Sequence, residues 1–68
     1  MQLLIETEQE DDGRWLAEVV GLPGVLVYGE SHDEAARKAE TLALRVIAER
    51  LEQGESKPGS FSITLLAA

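Results

Sequence analysis

The chain has 68 residues, no cysteine and a single histidine, His32, so disulfides, thiolate metal sites and histidine-built metal clusters are excluded. A domain of this size buries only roughly 60% of the surface its unfolded chain exposes, and with those staples gone a partner subunit is the expected support. Thirteen acidic residues against six basic ones leave a formal net charge of -7, which argues against direct nucleic-acid binding and allows a basic protein partner.

No basic region precedes an apolar stretch at Met1-Gln2-Leu3, and no apolar run approaches the ~20 residues of a membrane helix. A cytoplasmic protein that does not enter the membrane is expected. Linkers, repeats and low-complexity segments are absent, so residues 1–68 are read as one domain.

Gln2 to Glu8 alternates as a strand, with Leu3, Ile5 and Thr7 on one face and Leu4, Glu6 and Glu8 on the other. Asp12-Gly13 follows, a strong hairpin signal because glycine accepts positive φ at no steric cost. Arg14 to Val20 alternates again: Trp15, Ala17 and Val19 against Arg14, Leu16, Glu18 and Val20. Gly21-Leu22-Pro23-Gly24 breaks this second strand, since proline fixes φ and lacks a donor while the flanking glycines permit a sharp reversal. Val25 to Tyr28 is a short third strand, closed by Gly29.

Ser31-His32-Asp33-Glu34 reads as a capping box, with the Ser31 oxygen on the Glu34 N–H and the Glu34 carboxylate reaching back to the Ser31 N–H. The helix is expected from about His32 to Gln53, with Ala35, Ala39, Leu42, Ala43, Val46, Ile47 and Leu51 as its apolar stripe and Gly54 just past its end. A polar connection leads to a fourth alternating strand from Ser60 to Ala67, with Phe61, Ile63 and Leu65 opposed to Ser62, Thr64 and Leu66.

The expected fold is therefore α+β in the order β-β-β-α-β. A four-stranded mixed sheet, its last strand parallel to the first, carries one long helix on one face. That order is the order of a truncated ribonuclease H-like core. Leu4, Leu16, Val20 and Leu66 fall on the face away from the helix, which favours burial by another chain.

Catalytic chemistry is not found. Ser31 is spoken for by the cap, and His32 beside it is a solvated first-turn residue rather than its base. Asp33 and Glu34 at the helix start repel an anion, so no phosphate cradle is expected. A two-metal nuclease would need acids on the first strand, the helix and the fourth strand. Glu6 or Glu8 and Glu40 supply two, but Ser60 to Ala68 contains none. The cluster Glu6, Glu8, Glu10, Asp11 and Asp12 reads as a solvated hairpin end. No enzyme activity, catalytic residue, metal or cofactor is expected. Trp15 and Tyr28 are each either core or interface anchor.

Asp11-Asp12-Gly13, Trp15, Ala17, Leu22-Pro23-Gly24, Gly29, Ser31 and Glu34-Ala35 stand at spacings that resemble HicB-like antitoxins, over about residues 3 to 52. The resemblance implies a ribonuclease H-like domain without nuclease activity that binds and neutralises a small basic, HicA-like, mRNA-cleaving toxin and assembles into dimers or higher oligomers. It reaches the toxin-binding domain only, so operator binding is not implied. Gly13, Pro23, Gly24, Gly29, Ser31 and Glu34 are its structural signature. Trp15, Leu22, Tyr28, Glu6 and Glu8 are the expected partner-binding residues. The alternative is a homo-oligomeric regulatory or small-molecule-binding module.

Overall fold

A computed structural model describes residues 2–54 and 63–67. Strand β1 (Gln2–Gln9) turns into β2 (Trp15–Val20), which turns into β3 (Leu26–Gly29). Helix α1 (His32–Glu52) follows, and β4 (Thr64–Ala67) ends the described chain.

The first turn uses Asp11 and Asp12 at its centre: the Gly13 N–H donates to Glu10 O at 2.9 Å and the Glu10 N–H to Arg14 O at 2.7 Å. Asp12 fixes the exit. Its carboxylate accepts the Arg14 backbone N–H at 3.0 Å and the Arg14 Nε at 2.8 Å. The second corner is two turns in succession, Leu22 N–H to Val19 O at 3.3 Å and Val25 N–H to Leu22 O at 3.2 Å. Gly24 leaves this corner at φ 89°, a backbone region that side chains with a Cβ avoid.

β1 pairs antiparallel with β2 in the register Ile5↔Val19, and β2 pairs antiparallel with β3 in the register Ala17↔Val27. Alternation then sorts the side chains. Leu3, Ile5, Ala17 and Val19 are buried beneath the helix, joined by Leu22 and Val25 from the corner. The helix contributes Ala35, Ala39, Ala43 and Ile47 to the same core, and Leu42 and Val46 pack at its margin. Three alanines at intervals of four present only methyl groups from the helix along this line, so the two layers approach closely. Leu51, expected in the stripe, is 40% exposed, as is Leu44 at 44%.

The expected four-stranded, truncated ribonuclease H-like sheet is corrected here. The body on which α1 packs is a three-stranded antiparallel sheet of β1, β2 and β3, and the class is α+β. Of the strand expected from Ser60 to Ala67, the described part is a four-residue segment, Thr64–Ala67, laid parallel along β1 from Gln2↔Thr64 to Ile5↔Ala67 beyond the meander. Ile63 lies outside that strand, and the expectations for Glu55 to Ser62 fall outside the described residues. Four residues reach only the first half of β1, so β4 does not extend the meander over its length. The ribonuclease H-like comparison goes with it.

The helix start is corrected in one bond. Ser31 is the N-cap and accepts the Glu34 N–H at 3.1 Å, but the Glu34 carboxylate takes the N–H of Glu30 at 3.2 Å rather than that of Ser31. Glu34 is held there by Lys38, whose Nζ lies 3.1 Å from Oε1. This ammonium first, and the Glu30 N–H second, lower the Glu34 pKa from its ordinary value. No helix among the described residues is long and apolar enough to cross a membrane.

Candidate interaction surface

The sheet face away from α1 carries the most unusual chemistry among the described residues. The two registers bring its side chains into rows. Leu66, Leu4 and Val20 form one apolar row. Glu6, Glu18 and Leu26 form the next, and Glu8, Leu16 and Tyr28 the third. Val20, Leu26, Tyr28 and Leu66 are exposed at 43%, 47%, 42% and 45%, far more than a well-covered sheet face would allow.

Two features give this face a polarity. Glu6 stands directly opposite Glu18 in the β1–β2 ladder. Like charges in such a pair oppose sheet formation, and no cation among the described residues forms an ion pair with either. Glu8 joins them around a shallow depression of about 100 Å³ that Thr7 and Leu16 complete. At the far end the Arg14 guanidinium lies over the Tyr28 ring, 4.5 Å from its centre. Arg14 is also tied to Asp12: its backbone N–H first, and its guanidinium second, lower the Asp12 carboxyl below its ordinary value. Arg14, the cation near this face among the described residues, is thereby held to Tyr28 and Asp12.

The expected partner-binding residues divide between the two sides of the sheet. Glu6, Glu8 and Tyr28 share the outer face. Leu22 does not: at 2% exposure it is one of the largest fully covered side chains, and its place in the contact set is corrected to the core. Trp15 is on the helix side, half-buried against the core. Its ring meets His32 edge-on with centres 5.4 Å apart, so it holds the helix start against β2.

His32 stands in the first turn as expected, its side chain 44% exposed, with its ring against Trp15 and Nδ1 3.1 Å from Asp33 Oδ1. Ser31 Oγ is engaged by the Glu34 N–H, so the two neighbours form no nucleophile–base pair. Glu40 is on the helix while Glu6 and Glu8 project from the opposite side of the sheet, so the acids a nuclease would need are kept apart by the core. Among the described residues no three of His, Cys, Asp and Glu come together as a metal site.

Glu18 and Leu26 are the residues of this face that motif reading misses. Glu18 has no motif around it. Its signal is the register: a turn fixed at Glu10 to Arg14 sets Glu6 opposite Glu18 by counting. Comparisons of the chain with protein-family models, with curated proteins and with solved structures found no match.

Proposed function

We propose that the protein is a non-enzymatic antitoxin of the HicB-like kind, or an orphan relative of it, that binds and neutralises a small basic mRNA-cleaving toxin with the outer face of its sheet. The observation that carries this reading is the uncompensated Glu6–Glu18 pair set among exposed apolar side chains. A binding face that buries Leu4, Leu16 and Val20 against a partner gains apolar contact, and a lysine or arginine brought to Glu6, Glu8 and Glu18 relieves their repulsion in the same step. Carboxylates there occupy the toxin surface that RNA phosphates would use, which is how an acidic protein blocks a ribonuclease.

Growth rescue tests it. The chain is co-expressed with small basic proteins encoded beside its gene, and the pair is isolated. The expected result is a stoichiometric complex and restored growth, both lost in the double variant Glu6→Lys, Glu18→Lys. Rescue by the double variant would remove the face from the mechanism, and failure of the parent chain to bind or rescue against each neighbour would remove the antitoxin role.

The second reading is a homo-oligomeric module, dimer or tetramer, with a regulatory or small-molecule task. The apolar row Leu66, Leu4, Val20 favours it, because a row of that kind is buried as readily by a second copy. Its mark is a solution mass above 7.4 kDa that falls when Val20 and Leu66 become glutamate.

A further inference from the structure

β3 is the open edge of the sheet, since the strand order is β3-β2-β1-β4. The Val19 N–H donates to Val25 O at 3.1 Å, so the alternation along the antiparallel ladder points the backbone groups of Val27 and Gly29 at β2. Those of Leu26 and Tyr28 point outward. Lys38 Nζ reaches the Tyr28 carbonyl from the helix at 3.4 Å, from that outer side.

Along this edge, between β3 and α1, runs a groove of about 340 Å³ lined by Val27, Leu42, Thr41, Arg37, Lys38 and Arg45. Its floor is apolar and its wall is cationic, although the whole chain is strongly acidic. Half of the chain's six basic residues are gathered here. Lys38 is paired with Glu34, whereas Arg37 and Arg45 form no ion pair among the described residues.

We propose that this edge and groove receive an extended acidic segment of another protein, added to the sheet as a strand beside β3. The backbone groups of Leu26 and Tyr28 supply the hydrogen bonds of strand addition, and the arginines supply the selection. Arg37 and Arg45 are eight helical residues apart, ~12 Å along the axis. Residues i and i+4 of a strand are ~13 Å apart and point to the same face. The segment that fits therefore has the form Glu-x-Val-x-Glu, its carboxylates on Arg37 and Arg45 and its central aliphatic side chain on Val27 and Leu42. A second copy pairing edge to edge through β3 would bring two such cationic walls together, and charge selects against it. RNA matches the arginines but has no peptide backbone to complete the strand ladder beside β3.

The test is fluorescence polarisation with a labelled nine-residue peptide centred on Glu-Thr-Val-Thr-Glu. Four controls accompany it: the peptide with lysines for glutamates, the peptide N-methylated at alternate residues, the peptide with its glutamates two apart, and a labelled oligonucleotide. Saturable binding of the first peptide alone is expected, weakened about tenfold or more in Arg37→Glu, Arg45→Glu. Because both substituted arginines are exposed, circular dichroism of the variant is expected to match the parent. Equal binding of the N-methylated peptide would overturn strand addition. Tighter binding of the oligonucleotide, lost with the same arginines, would replace the peptide by a nucleic acid. No saturable binding of the first peptide would overturn the proposal outright.

Discussion

A Cβ placed on Gly29 would stand 2.6 Å from the backbone nitrogen of Ala35 and 2.9 Å from its Cα. Both obstacles are backbone, in the first turn of a helix capped by Ser31 and held by Trp15, so neither yields cheaply. Gly29→Ala is expected to lower stability by ~1–3 kcal/mol, the range for forcing a methyl into packed space. Each kcal/mol corresponds to ~4–8 °C in Tm for a domain of this size. An unchanged melting temperature would mean that β3 and α1 can separate without cost.

The cap itself is a smaller contribution. Ser31→Ala removes the acceptor for the Glu34 N–H and should cost ~1 kcal/mol, whereas Ser31→Gly should cost only a few tenths. Chemical denaturation of the two variants measures both; equal losses would assign the effect to something other than the hydroxyl.

Gly24 sits at φ 89° with nothing within 4 Å of the position a Cβ would take. Space is available and conformation is not. Gly24→Val is therefore expected to destabilise by about 1 kcal/mol or more through backbone strain. Gly24→Asn should recover part of that loss, because asparagine tolerates the left-handed region. A valine variant as stable as the parent would show that the corner relaxes.

The acidic pair makes a prediction of opposite sign. Glu18→Gln removes the repulsion across the ladder, and Glu6→Lys replaces it with attraction, so each should stabilise the isolated protein by ~0.2–1 kcal/mol. The same substitutions should weaken the complex with a basic partner. Stability that falls in both variants would show that the pair is not repulsive in the folded chain.

Acid should loosen the helix start. The folded pKa of Glu34 lies below its ordinary value of 4.5, held down by Lys38 and then by the Glu30 N–H. A depressed carboxyl contributes stability that is present above its unfolded pKa and lost as pH falls through the folded one. Asp12 behaves alike from an ordinary value of 3.8, through the Arg14 N–H and guanidinium. Urea midpoints should decline as pH is lowered from 5 toward 3, and Glu34→Gln should start lower and decline less. Parallel profiles would remove Glu34 from the linkage. Asp12 is exposed and Glu34 partly so, so solvent screens both, and the effect is small and weakens in salt.

Local chemistry was legible in the sequence wherever one residue decides the outcome. Alternation placed Leu3 and Ile5 on one side and Leu4 and Glu6 on the other, and the Ser31 cap and the long helix follow from side chains within one turn of each other. Properties that depend on residues meeting from far apart were not legible. The extent of β4 is one: among the described residues Thr64 to Ala67 pair with β1, and Ile63, which continues the alternation, lies outside the strand. Leu22 reads as a corner residue available for contact, yet the two successive turns fold it inward. The basic groove has no local signature, because Arg37 and Arg45 are separated in sequence and become one wall only when Val27 of β3 lies beside Leu42. The carboxylate of Glu34 went to Glu30 rather than Ser31, a choice between neighbouring N–H groups that the pattern leaves open.

The stripe of Ala35, Ala39 and Ala43 has one more consequence. Because the alanines let the helix settle onto Leu3, Ile5 and Val19, the interior is finished without help from any side chain of the outer face. Leu4, Glu6, Leu16, Glu18, Val20 and Leu26 can each be exchanged without disturbing the layer beneath. Such a scaffold can be retargeted: mutation can redraw what the sheet recognises while the fold that presents it is inherited intact.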